Sequence, residues 1–325
     1  MILIDPKTAL LEAQARDLAD ASYRGNTGAK VKAGNHKGLF EPTTRLCCVV
    51  DMTLDAGQAD IIVITAGAKQ KPGNPTSYIS LSARFSSIVL GESRLSLLSR
   101  NLHILESIFS SMAPINPNAV LVLVANPVDI LTYFARELSG LPESQVIGTG
   151  TSLDSARLRG KLSEKTQVSA SSIDAYVLGE HGDSQFIAWS SIAVGTTPLH
   201  LALPESTTGG FRKEVSDHTR GAAAAIIASK GCTAYGIGNI AASICKYIMY
   251  DQRTVRPVSF FQPELGCCLS MPAVIGRKGI VRPMPIVLDD AEKKELEKCA
   301  AELRAIIEGA EKELAADKEL EKALK

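Results

Sequence analysis

Residues 179–184 read Gly179-Glu180-His181-Gly182-Asp183-Ser184, a histidine set between two glycines directly after the apolar run 173–178. An imidazole titrates near pH ~6.5, so at neutrality it can both take and return a proton, as a general acid/base must. The glycines beside it carry no Cβ and let backbone or a bound molecule approach the ring. Taken alone, the same pattern describes a turn histidine. Upstream, Gly148-Thr149-Gly150-Thr151-Ser152-Leu153-Asp154-Ser155-Ala156-Arg157 is a Gly/Ser/Thr turn running into a helical pattern. On a helix Asp154 and Arg157 share a face. A carboxylate beside an imidazole fixes its tautomer and favours its charged form, and a guanidinium forks onto a carboxylate. The two residues equally describe a surface ion pair in the first turn of a helix.

The chain that must position these groups has 325 residues, 45% of them hydrophobic and 22% charged, enough for two packed units. Thirty-five basic residues balance thirty-five acidic ones, leaving no net field for nucleic acid or an anionic membrane, and neither is expected as a partner. No apolar run approaches the ~18 residues of a spanning helix, and the start lacks the basic-then-apolar order of a leader. The seven cysteines show no Cys-x-x-Cys spacing, so no metal site is expected, and reduced thiols in the cytoplasm are.

Along the chain, Ile2-Leu3-Ile4-Asp5 reads as a short strand ending in an acid, residues 8–21 as a helix and 31–34 as a short strand. Ala59-Asp60-Ile61-Ile62-Val63-Ile64-Thr65-Ala66-Gly67 is a continuous apolar run closed by glycine, the pattern of a parallel strand covered on both faces. Residues 95–112 read as an amphipathic helix, 120–127 as a second buried strand that Pro127 ends, 129–138 as a helix and 145–148 as a strand. The pattern then becomes mixed, with short strands around 189–194 and a helix over 222–230. A strand over 283–288 leads to Asp289, which caps a last helix whose apolar stripe is Leu296, Ala300, Leu303, Ile307 and Leu314. Residues 315–325 read as a solvated end.

These motifs, with Ala125-Asn126-Pro127-Val128-Asp129, Gly91-Glu92-Ser93-Arg94-Leu95, Lys230-Gly231-Cys232-Thr233 and Leu269-Ser270-Met271-Pro272 in the same order, resemble the NAD-dependent L-lactate/malate dehydrogenase family over nearly the whole chain. The resemblance implies an α/β fold: a Rossmann-type doubly wound parallel sheet over residues 1–148, binding NAD, and an α+β substrate domain over 149–325. It implies reversible hydride exchange with a small 2-hydroxy/2-oxo acid, His181 acting as acid/base, Asp154 holding its ring and Arg157 clamping the substrate carboxylate. Arg94, on a mobile lid, would polarise the carbonyl oxygen, although by itself it is a basic residue opening a helix. Asp5 would bind the adenosine ribose, though a strand-end acid also opens ordinary turns. Thr65, Ala66 and Gly67 would lie against the cofactor, Asn126 against both cofactor and substrate, and Thr233 in the substrate pocket. Gln70 stands where malate dehydrogenases of this type carry an arginine, so the resemblance favours lactate over malate. A homo-oligomer, tetramer or dimer, is implied.

Two departures from the family pattern stand out. The Gly-x-Gly-x-x-Gly loop belongs about 20 residues before Asp5, after a central first strand. This sequence begins four residues before Asp5, so the first strand and its loop are expected to be missing. Residues 38–55 and 74–91 interrupt the family pattern and can be excised to restore it, which reads as translated introns or as loop insertions. Three functions therefore stay open: an L-lactate dehydrogenase, a malate or other 2-hydroxyacid dehydrogenase, and a non-catalytic descendant without its pyrophosphate loop.

Overall fold

The computed structural model describes residues 2–4, 8–23, 31–33, 46–49, 56–67, 94–230 and 232–323. Strand β1 (Ile2–Ile4) leads to helix α1 (Thr8–Tyr23), then β2 (Lys32–Ala33), β3 (Leu46–Val49) and β4 (Ile61–Ile64). Next come α2 (Arg94–Met112), β5 (Val120–Leu123), α3 (Val128–Ser139) and β6 (Val146–Gly148). Helix α4 (Ser152–Thr166) opens a region of short strands, β7 (Ile173–Asp174), β8 (Val177–Leu178), β9 (Phe186–Ile187), β10 (Ala193–Val194) and β11 (Thr197–Pro198). Helices α5 (Leu199–Ala202), α6 (Gly209–Lys230) and α7 (Tyr235–Met249) follow, then β12 (Thr254–Gln262), β13 (Cys267–Gly276), β14 (Gly279–Pro283) and α8 (Asp290–Ala323).

One sheet runs in the order β2-β1-β3-β4-β5-β6-β12-β13-β14. It is parallel from β2 to β6 and antiparallel beyond, the two parts joined where Ser259 pairs with Gly148. The apolar continuity of β4 and β5 has a direct cause. Ile62, Ile64, Leu121 and Leu123 pack on one face with Leu102 and Phe109 of α2 and Leu303 and Ile307 of α8. The alternate residues Ile61, Val63, Val120 and Val122 pack on the other with Ile244 and Ile248 of α7 and Val258 of β12. Both faces are dry, so no position in either strand is left for a polar residue.

Several sequence expectations change here. The centre of the sheet has a strand after all: Leu46–Val49 lies parallel between β1 and β4, with Cys47 opposite both Ile2 and Ile62. Both neighbours need ladder partners, and this four-residue run supplies their donors and acceptors. Part of residues 38–55 is thus internal to the sheet, whereas residues 74–91 lie outside the described residues. The strand expected over 283–288 falls instead at Gly279–Pro283, because Pro283 and Pro285 have no N–H to continue a ladder. Trp189–Ser191 is a single 3-10 turn between β9 and β10, and the helix expected over 222–230 is the end of α6. Asp289 caps α8 as expected: its Oδ1 accepts the Ala291 and Glu292 N–H groups at 2.9 Å, and Glu292 accepts the Asp289 N–H at 3.0 Å. The helix continues to Ala323, with Ala315, Ala316 and Glu319 exposed, as expected of a solvated end.

Candidate active site

The carboxyl ends of β4, β5 and β6 open into a cleft of about 730 Å³, lined among others by Thr65, Asn126, Asp154, Arg157, His181 and Thr233. Ligands of open α/β sheets bind at this edge. The first turn of α4 and the loop after β8 deliver the reactive side chains, and Ser270 of β13 sets their separation. Its backbone exchanges hydrogen bonds with Gly179 at 3.0 and 2.8 Å, while its Oγ accepts the Thr151 N–H at 2.9 Å. Gly150 has φ +47°, and a Cβ there would lie 2.1 Å from Ser270 Oγ, so only glycine passes this point. The first turn of α4 is pinned further: Thr151 Oγ1 donates to Val177 O at 2.5 Å, Ser152 Oγ to Pro257 O at 2.6 Å, and Ser155 Oγ accepts the Val177 N–H at 2.8 Å.

This framework brings Asp154 Oδ2 to 2.7 Å from His181 Nδ1, while Asp154 Oδ1 accepts from an Arg157 Nη at 3.1 Å. The Asp154 side chain is 3% exposed, Arg157 13% and His181 25%. Burial works to raise the Asp154 pKa, but the His181 and Arg157 charges outweigh it and hold the carboxyl below its ordinary value. Burial likewise opposes charge on His181, and the Asp154 carboxylate, its hydrogen bond and the Asp129 charge prevail, raising the imidazole pKa. Glu180 behaves differently: burial pushes it up to about 7, although Ser184 donates a hydrogen bond to its Oε2. Its backbone N–H meets the Cys299 thiol at 3.0 Å.

Of the residues singled out from sequence, His181, Asp154, Arg157, Asn126, Thr65 and Thr233 share the cleft. Ala66 and Gly67 follow Thr65 on the same strand edge, half-buried and exposed. Arg94 begins α2, and Leu98 one turn later lines the cleft; the Arg94 side chain is not among the described ones. Asp5 and Gln70 lie outside the described residues. Sequence reading gave no role to Asp129, whose Oδ2 accepts the backbone N–H of His181 at 2.7 Å. A single acid in the first turn of the otherwise apolar start of α3 was the available signal. It also missed the wall built by Ala223 and Ile227 of α6 and Ile237 of α7, whose alanine-rich run carries no chemical signal.

The family profile described as lactate/malate dehydrogenase, NAD binding domain, matches residues 1–148, and the profile of the alpha/beta C-terminal domain matches residues 151–314. The chain belongs to the lactate/malate dehydrogenase family. Among its relatives, L-lactate dehydrogenase A of Rhizopus oryzae is 39% identical over 306 residues, 94% of this chain and 83% of that protein. L-lactate dehydrogenase 1 of Lactococcus lactis subsp. lactis is 41% identical over 262 residues, covering 79% and 75%. The crystal structure of a lactate dehydrogenase from a Medee basin deep-sea metagenome library superposes with a TM-score of 0.80 at 29% identity, covering 95% of this chain and 90% of that one. The minor L-lactate dehydrogenase of Enterococcus mundtii, in a ligand-bound form, gives 0.78 at 29% identity, covering 95% and 89%.

The dehydrogenase is therefore an NAD-dependent oxidoreductase of the CH–OH class, with NAD as cofactor. Its described residues suit the nicotinamide half of that molecule. Thr65 and Gly67 are exposed at the end of β4 beside Asn126 at the end of β5. A Cβ on Gly67 would lie 3.2 Å from Ala125 Cβ, so glycine lets the ends of β4 and β5 approach closely here. The Asn126 carbonyl is held by Asn101 Nδ2 at 2.9 Å, fixing the strand end. Among the described residues no helix is long and apolar enough to cross a membrane.

Proposed function

We propose that this dehydrogenase interconverts (S)-lactate and pyruvate, with His181 as the general acid/base. The observation that carries the reading is the 2.7 Å contact of His181 Nδ1 with Asp154 in a cleft that Arg157 also lines. NAD, when bound, supplies the hydride chemistry at its nicotinamide ring. With Nδ1 engaged by Asp154, Nε2 is the nitrogen left to take the hydroxyl proton of lactate or return it to the carbonyl oxygen of pyruvate. Asp154 stabilises the charged ring and blocks the wrong tautomer. Arg157, steadied on one side by Asp154, binds the substrate carboxylate and so orients the reacting carbon. Arg94 polarises the substrate oxygen, Asn126 and Thr233 line the substrate position, and Gln70 leaves no partner for a second carboxylate. Thr65, Ala66 and Gly67 hold the nicotinamide side of NAD and Asp5 its adenosine ribose.

On this reading residues 1–148 form the cofactor domain and 149–325 the substrate domain, a division supported by the change at Gly148 from parallel to antiparallel pairing. The exposed Ile226 of α6 and Tyr235 of α7 favour a homo-oligomer. Cys232, Cys245, Cys267, Cys268 and Cys299 keep their thiols outside any disulfide, which favours a reducing compartment, the cytoplasm. A binding-only descendant is the second reading, separable from the first by turnover. The test is NADH oxidation by the purified chain with pyruvate or oxaloacetate, beside a fluorescence titration with NADH. Faster turnover of pyruvate is expected. A preference for oxaloacetate would replace lactate by malate, and NADH binding without turnover of either would favour the second reading.

A further inference from the structure

His181 is gripped by two carboxylates from opposite parts of the molecule. Asp154 holds the ring from α4. Asp129, in the first turn of α3 and 2% exposed, holds the backbone: its Oδ2 accepts the His181 N–H at 2.7 Å. Helix α3 begins directly after Asn126-Pro127, so Asp129 is fixed to the strand end that faces the nicotinamide side of the cleft.

Nothing else among the described residues satisfies this carboxylate in full. Beyond the His181 N–H, the one polar neighbour of Asp129 among the described residues is the Ser259 hydroxyl, which opposes the rise in its pKa. An ionised carboxylate buried with so few donors is costly unless a positive charge faces it. The titratable groups facing Asp129 are Glu180 and His181 of the catalytic loop, Cys267 and Cys268 of β13 and Cys299 of α8. Only His181 among them can become a cation. The groups that act most on His181 are Asp154 and Arg157 of α4 and Asp129 of α3, and Asp183 and Arg220 line the same cleft. Burial pushes the Asp129 pKa up and the His181 charge opposes that rise.

We propose that Asp129 is a positioning residue for His181: it ties the main chain of the catalytic loop to the helix leaving the nicotinamide edge, and it shares with Asp154 the counter-charge of the imidazolium. This inference rests on the reading of His181 as acid/base. The ring reaches Asp154 only when the loop is seated, and the loop is seated from the cofactor side. Asp129→Asn keeps the shape and an acceptor for the N–H but removes the charge.

The experiment is histidine NMR on the full chain, in which His181→Asn assigns one of the five histidines, together with pH profiles of pyruvate reduction. In Asp129→Asn, with circular dichroism unchanged, the His181 imidazole pKa is expected to fall by about one unit. The kcat should drop about tenfold to a hundredfold, with the KM for pyruvate moving less than about threefold. An unmoved imidazole pKa and an unmoved profile would overturn the proposal, even where His181→Asn abolishes turnover and the acid/base reading stands. Turnover that survives His181→Asn would overturn the acid/base reading, and the imidazole shift alone then decides whether Asp129 supplies counter-charge. Should Asp129→Asn not fold, amide exchange in the wild type decides the anchor. The His181 N–H is expected to exchange at least about a hundredfold more slowly than that of Gly182. Equal rates would overturn the anchor.

Discussion

Replacing Asp154 by asparagine removes one charge and almost no volume from the centre of the site. The carboxylate is 3% exposed and makes two contacts, 2.7 Å to His181 and 3.1 Å to Arg157. A hydrogen bond between charged groups in such surroundings is worth about 1.5–3 kcal/mol, and here the partner carries positive charge only while the ring is protonated. A loss of about 3 kcal/mol from the charged state corresponds to roughly a hundredfold in rate. The amide NH2 can also donate to Nδ1 and leave the proton on Nε2, which would remove the base altogether, so the loss extends toward ~10⁴-fold. Pyruvate reduction needs the protonated ring, so wild-type activity should fall as pH rises through the raised His181 pKa. In Asp154→Asn that limb should move to lower pH by at least about one unit. Steady-state pyruvate reduction across the neutral range reads both effects. A limb at the wild-type pH, with kcat/KM within about threefold of wild type, would refute the assigned role of Asp154.

The same pair should tie stability to pH: Asp154 contributes above its lowered pKa and His181 below its raised one, so the wild-type advantage over Asp154→Asn in urea unfolding should peak between about pH 4 and 6.5. Glu180 carries the opposite sign for a carboxyl. Its folded pKa is raised to about 7, so its contribution is present below the unfolded value and is lost as pH rises through the folded one. Glu180→Gln should accordingly gain roughly 3 kcal/mol relative to wild type between acid and mildly alkaline pH, and a pH-independent difference would contradict this. Arg157→Lys loses the planar fork while keeping the charge, and should raise the KM for pyruvate at least about tenfold in steady-state assays. Gly150→Ala puts a methyl group 2.1 Å from Ser270 Oγ at φ +47°, so it should cost more than about 3 kcal/mol in chemical denaturation or prevent folding.

Much of the architecture could be read from local pattern. Strands β4 and β5 announce themselves because both faces are dry, α8 because one stripe is, and its start because Asp289 and Glu292 stand at cap spacing. What local pattern could not supply was pairing between distant segments. The β12–β13 hairpin extends the parallel sheet through a single pairing of Ser259 with Gly148, and nothing in either stretch names the other. Leu46–Val49 reads as interruption against the family's spacing, yet its four backbone units are what the gap between β1 and β4 requires. Ladder hydrogen bonds do not depend on where in the chain a strand originates.

The site divides in the same way. Residue types and their order were enough to nominate His181, Asp154 and Arg157, because acid/base and carboxylate-binding chemistry is a property of side chains. The distance between Asp154 and His181 belongs to the tertiary structure. It depends on Ser270, 119 positions beyond Thr151, holding both loops, and on a glycine at 150 that leaves room for its hydroxyl. Asp129 is the sharper case, since in sequence it is an unremarked acid opening a helix. Folding buries it against the His181 main chain, whose N–H it accepts at 2.7 Å, and no local pattern could announce that contact.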